Sequence, residues 1–123
     1  MARTIAIVED DADIRRLLDL KLRAAGYETA FARDGVMALG VIRKARPDLI
    51  LLDLGLPGGD GFVILDRLRE FDALATIPVV VISAAVQPDA RKRIELSRVA
   101  AFIQKPFDIG ELVQTVASIL AAR

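Results

Sequence analysis

Pro47-Asp48-Leu49-Ile50-Leu51-Leu52-Asp53 is an apolar run that ends on a carboxylate, and Leu54-Gly55-Leu56-Pro57-Gly58-Gly59-Asp60-Gly61 follows it at once. Consecutive large aliphatic residues without polar alternation are the pattern of a short strand buried on both faces. The glycines and the proline behind it mark a turn. Asp53 therefore stands at the exit of a buried strand, facing a loop, which is where open α/β sheets bind their ligands.

Working outward, four more strand-like runs appear: Thr4–Glu9, Glu28–Ala32, Val79–Ser83 and Ala100–Gln104. Helix-period segments separate them. The first places Ile14, Leu17, Leu18 and Leu22 on one face and stops at Gly26. The second, Gly35 to Lys44, is expected to turn Val36, Leu39 and Ile42 or Val41 inward, and Pro47 closes the linker behind it. The third, Gly61 to Phe71, offers Phe62, Leu65 and Leu68. The fourth, Pro88 to Ser97, is the most polar, with Ile94 and Ala90 as its inward residues. The last, Asp108 to Ala121, carries Leu112, Val113, Val116, Ile119 and Leu120. Strands alternating with helices of this length make βαβ units and a parallel sheet. Right-handed crossovers leave few topologies. The expectation is a single-domain α/β three-layer sandwich, with five helices and a five-stranded parallel sheet in the flavodoxin-like order 2-1-3-4-5. It is expected to fill residues 1–123, with no effector domain following.

Composition narrows the chemistry. The 123 residues carry 17 Lys plus Arg against 17 Asp plus Glu, so bulk charge draws the chain to neither nucleic acid nor an anionic membrane. There is no Cys and no His. That excludes disulfides and thiol chemistry, removes the commonest acid–base group, and leaves only oxygen ligands for a metal, which favours hard cations. The longest nearly unbroken apolar run, Ile77 to Val86, falls far short of the ~18 residues of a membrane span. A cytoplasmic location is expected.

The strand ends carry the functional signal. In the order 2-1-3-4-5 the switch point lies between strands 1 and 3, so Glu9 and Asp10 meet Asp53 in one crevice. Like charges this close raise one another's pKa, and a divalent cation removes the conflict. Magnesium, octahedral and content with a few carboxylates, a carbonyl and water, fits best. Each residue also has a plainer role. Asp11 or Asp13 caps the first helix, Asp53 can bond loop amides, Asp60 caps the third helix, and Ser83 and Lys105 can be ordinary strand-end residues. Their convergence at four strand ends of one sheet edge favours a site.

Ile7-Val8-Glu9-Asp10-Asp11, the stretch Asp53 to Gly61, Val81-Ile82-Ser83-Ala84 and Lys105-Pro106-Phe107 follow one another in the order and spacing of a known family. From Ile5 to Leu120 the chain resembles the CheY-like response-regulator receiver domain of two-component signalling. The resemblance implies that Asp53 is the phosphoacceptor. It implies that Glu9, Asp10, Asp53 and the Gly55 main-chain carbonyl hold Mg²⁺, with Mn²⁺ as a substitute. Ser83 takes the switch hydroxyl position, Lys105 the phosphate-binding lysine and Phe102 the switch aromatic. The implied donor is a histidine kinase or histidine phosphotransfer protein. The implied output is a changed surface on the fourth helical stretch, strand 5 and the last helix, read by a downstream protein. Neither nucleic acid nor membrane is an expected partner.

The chain departs from the family where Ser97-Arg98-Val99-Ala100 replaces the usual Gly-Ala before strand 5, so an altered connection is expected there. Small residues at Gly55 and Ala85, flanking the site, imply slow loss of the phosphoryl group. Other functions fit less well. An aspartyl-phosphate phosphatase of this arrangement needs a second acid two residues after the nucleophile, where Gly55 stands, so no turnover enzyme is expected. A flavin carrier needs a hydroxyl-rich phosphate loop where Glu9-Asp10-Asp11 would repel the phosphate. A scaffold independent of phosphorylation has no need of the set Glu9, Asp10, Asp53, Ser83 and Lys105.

Overall fold

The computed structural model of the chain describes residues 2–55, 61–84 and 88–123. Its strands are β1 (Thr4–Val8), β2 (Glu28–Ala32), β3 (Leu49–Asp53), β4 (Val79–Ser83) and β5 (Ala101–Gln104). They form one parallel sheet in the order β2-β1-β3-β4-β5. The helices among the described residues are α1 (Ala12–Ala24), α2 (Gly35–Ala45), α3 (Gly61–Glu70), α4 (Asp72–Ala75), α5 (Pro88–Leu96) and α6 (Ile109–Ala121). The expected architecture holds, with one helix more than expected. That extra element, α4, is a single turn too short to show a period in the sequence. It buries Leu74, and its Ala75 amide donates to the Phe71 carbonyl at 2.8 Å.

Strand residues divide between two cores with the period of two that a pleated strand imposes. Ile5, Ile7, Leu49, Leu51, Val80 and Ile82 pack with Leu18 and Leu22 of α1 and Leu112, Val116 and Leu120 of α6. Ala6, Val8, Ile50, Leu52, Val79 and Val81 face the other way, onto α2, α3, α4 and α5. Every residue of β3 and β4 is buried, which is why their sequences show no alternation.

Two helix faces differ from expectation. Val36 is 79% exposed, because the buried positions of α2 are Ala38 and Ile42 and Val36 lies about 200° around the helix from Ala38. Leu17 is half-exposed beside the buried Leu18. The Ala90 side chain lies outside the described residues, whereas Ile94 is buried as expected.

Helix starts cluster at the carboxyl end of the sheet. Asp11 caps α1, accepting from the amides of Asp13 at 2.9 Å and Ile14 at 3.1 Å. Asp34 caps α2 through Met37 N at 2.9 Å, and Asp108 caps α6 through Glu111 N at 3.0 Å. Helix ends lie at the opposite edge. There Arg46 closes α2 at φ 48°, and Arg98 turns the chain from α5 into β5 at φ 55°. The connection expected to change for want of glycine thus keeps a left-handed residue, and it is an arginine. Arg69 ties the same turn, its Nη2 donating to the Ser97 carbonyl at 3.0 Å and its Nη1 to the Ala75 carbonyl at 2.6 Å.

Candidate functional site

Parallel pairing brings the ends of β1, β3 and β4 side by side. Asp53 ends β3 opposite Ile82, and the Leu54 amide extends the ladder to the Ile82 carbonyl at 3.2 Å. Ser83 ends β4, and its carbonyl accepts from the Lys105 amide at 2.7 Å, which anchors Lys105 just beyond β5. The Lys105–Pro106 peptide, whose isomer the sequence leaves open, is cis. Glu9 follows β1 directly and is held by its amide donating to the Ala32 carbonyl at 3.1 Å.

The resulting pocket holds three carboxylates and one ammonium. One carboxylate oxygen from each of Glu9, Asp10 and Asp53 lies within 4.8 Å of the others. Lys105 Nζ stands 2.8 Å from Glu9 Oε1 and 3.1 Å from Asp53 Oδ2. Asp53 Oδ1 accepts from the Gly55 amide at 2.9 Å. Glu9 and Asp53 are buried, and Asp10 is exposed at the mouth. Despite the short ion pair, Glu9 Oε1 accepts no hydrogen bond among the described residues, so the ammonium balances its charge without aligning a proton on it.

This geometry splits the acids. Burial, then the Asp53 carboxylate, pushes Glu9 from its usual 4.5 up to about 7, against the opposing pull of Lys105. Asp53 goes the other way. Burial would raise it, but the proton donated by Glu9, the Gly55 amide and Lys105 together hold it below the usual carboxylate value. Lys105 is likewise raised, because the two carboxylates outweigh the burial that disfavours its charge. Asp53 is therefore the ionised member of the pair, and Glu9 is the one that exchanges its proton near neutrality.

An oxygen-only set of two buried acids and a third at the rim, with one Glu9 oxygen held only by its ion pair to Lys105, fits a small hard dication. Glu9, Asp10 and Asp53 are brought together as expected, and Lys105 and Gly55 join them. Ser83 is buried at the neighbouring strand end. Phe102 is half-buried on the α5 side of the sheet, with the Arg91 guanidinium 5.4 Å from its ring centre. Asp60 and Ala85 lie outside the described residues. Arg15 joins the site although nothing in the strand-end pattern singles it out. It reaches back from the first turn of α1, its Nη1 donating to the Glu9 carbonyl at 3.2 Å. The clue was a cation four residues after the cap at Asp11.

Residues 5–117 match the response regulator receiver domain model, and the chain belongs to that family. It is 35% identical over 120 residues to the polar-differentiation response regulator DivK of Brucella anthropi, with 98% of each chain covered. Among solved structures it is similar to the chemotaxis protein CheY4 of Vibrio cholerae, with a TM-score of 0.89 and 26% identity over 97% of this chain and 99% of that one. It is also similar to the phosphorylated cyanobacterial phytochrome response regulator RcpA, with a TM-score of 0.81 and 33% identity over 97% of this chain and 91% of that one. No helix among the described residues is long and apolar enough to cross a membrane.

Proposed function

We propose that this receiver domain takes a phosphoryl group onto Asp53 from a histidine kinase or a histidine phosphotransfer protein, and that the modified domain signals by changing its surface. The observation that carries this reading is the buried Asp53 at a strand end, bonded to the Gly55 amide and Lys105 and clustered with the Glu9 and Asp10 carboxylates. A carboxylate oxygen of Asp53 attacks the donor's phosphorus. The phosphorus–nitrogen bond breaks, its electron pair returns to the imidazole, which is reprotonated from solvent, and an acyl phosphate remains.

Glu9, Asp10, Asp53 and the Gly55 carbonyl would hold Mg²⁺, which when bound neutralises the negative charge gathered around the incoming group. Lys105 supplies a second positive charge from the β5 side, already within ion-pair distance of Asp53. Ser83 stands at the end of the adjacent strand as a hydroxyl donor to the phosphoryl oxygens. Its inward pull on the loop after β4 would make room for Phe102, shifting two pre-existing states of α5, β5 and α6. Phe102 has no hydroxyl, so its part in the switch is packing. Gly55 offers no acid for protonating a leaving group, which favours a self-modifying switch over a turnover enzyme.

The test is phosphotransfer from histidine kinases of the source genome to the parent chain and to Asp53→Asn. One phosphoryl mass should appear on the parent, only with a divalent cation, and none on the variant. Labelling of Asp53→Asn equal to the parent's would sink the assignment.

A further inference from the structure

The geometry points to a second interaction surface, at the amino-terminal edge of the sheet and away from Asp53, where arginines beside an apolar floor receive an acidic peptide segment of a partner protein. A cavity of about 890 Å³ opens between the end of α2 and the α3–α4 corner. Arg43, Lys44 and Arg46 form one wall, Phe71, Leu74 and Ile77 supply apolar surface opposite, and no carboxylate lines it. A second cavity, of about 700 Å³, shares Ile77 and continues toward the end of α5, where Arg98 and the 74%-exposed Leu96 line it.

Some of these cations have structural duties. Arg43 lies 5.1 Å from the Phe71 ring centre. Arg69 is spent on backbone carbonyls, and Arg93 pairs with Asp66 at 3.5 Å. The side chains of Lys44, Arg46 and Arg98 make no hydrogen bond or ion pair among the described residues. Cations in the last turn of a helix answer its dipole, but Arg43, Lys44 and Arg93 already do so for α2 and α5.

Backbone conformation sharpens the point. Arg46 and Arg98 are the two non-glycine residues with positive φ among those described, and each lines one of the two cavities. At such positions glycine is the relaxed choice and a long side chain carries a conformational penalty. The fold has no evident use for either guanidinium. An acidic ligand supplies one, since a guanidinium pairs with carboxylates through two donors. Glu70 and Asp72, exposed on either side of Phe71, would repel a broad polyanion such as a membrane or a nucleic acid. A narrow segment with one apolar anchor between acids fits between them.

The experiment uses the unphosphorylated chain without magnesium, so it does not depend on events at Asp53. Short fluorescein-labelled peptides with glutamate pairs flanking one Leu or Phe are titrated by anisotropy. Matched peptides with Lys in place of Glu, phosphatidylserine vesicles and duplex DNA run in parallel. The acidic peptides should bind, more weakly as salt rises, and amide shifts should cluster at Gly40, Ala73 and Leu74. Combined Arg46→Gly and Arg98→Gly should weaken binding about tenfold, as the loss of two exposed charge pairs allows. The same change should raise the thermal midpoint, so lost binding could not be blamed on lost fold. Combined Arg46→Lys and Arg98→Lys should bind more tightly than the glycine pair and more weakly than the parent, since lysine keeps the charge and loses the second donor. Unchanged affinity in the glycine pair, equal binding of the lysine peptides, binding of vesicles or DNA alone, or no binding at all would each overturn the proposal.

Discussion

Glu9 holds its proton more tightly in the folded chain than an unfolded chain would, and that gives it a thermodynamic sign. Where a folded-state pKa is raised for an acid, the fold gains from protonation and loses stability as pH rises through the gap. For Glu9 the gap runs from 4.5 to about 7. The lowered Asp53 acts below its usual 3.8 and the raised Lys105 above its usual 10.5, so neither competes in that window. In magnesium-free buffer the thermal midpoint should fall between about pH 4.5 and 7, and Glu9→Gln should flatten that slope. Midpoints that climb with pH in the parent chain would contradict the assignment of the proton to Glu9. Magnesium affinity should weaken below about pH 7, because the cation and the proton compete for the same carboxylate. Sequence alone placed Glu9, Asp10 and Asp53 in one crevice. It could not say which acid keeps the proton, because that depends on how deeply each is buried and on where Lys105 points.

At the scale of elements, the start of α3 presses closely on Leu54, the residue after β3. A Cβ added at Gly61 would lie 2.6 Å from Leu54 Cα and 2.9 Å from its Cδ2. The first contact is with backbone, which cannot rotate aside. Gly61→Ala should cost roughly 1–3 kcal/mol by overpacking and slow phosphotransfer by displacing the chain next to Asp53. Denaturant unfolding and transfer rates check the two effects separately. In the sequence Gly61 reads as a simple turn residue at the start of a helix, since nothing local reveals that Leu54 sits against it.

Arg69 is a comparable case. It is an exposed arginine at the end of α3, with donors to the Ala75 carbonyl in α4 and the Ser97 carbonyl behind α5. Arg69→Met should destabilise by about 1 kcal/mol and speed hydrogen exchange at Ser97 and Arg98 more than elsewhere. Strand positions, by contrast, were read almost to the residue. Burial on both faces writes itself into β3 and β4 as unbroken aliphatic runs. The helix faces that differ belong to Val36, two residues and about 200° from the buried Ala38, and to Leu17, one residue and about 100° from the buried Leu18.

Across the whole molecule, zero net charge conceals a division. Aspartates gather where helices begin, at Asp11, Asp34 and Asp108, beside the carboxylate pocket. Cations gather where helices end, at Lys21, Arg43, Arg67 and Arg93. The dipoles of α1 and α2 are answered at both ends, and the parallel topology lines these groups up into an acidic end and a basic end. Composition could not show this, because it requires knowing that every helix runs the same way relative to the sheet.

The ammonium of Lys105, within reach of both buried carboxylates, acts as a resident counter-ion. The fold is therefore expected to stand without any dication. Treatment with EDTA should leave far-ultraviolet circular dichroism unchanged, and magnesium should then raise the thermal midpoint in proportion to its occupancy. If magnesium binds as proposed, such a domain would wait without it, intact and correctly shaped, and become competent as soon as the ion returned.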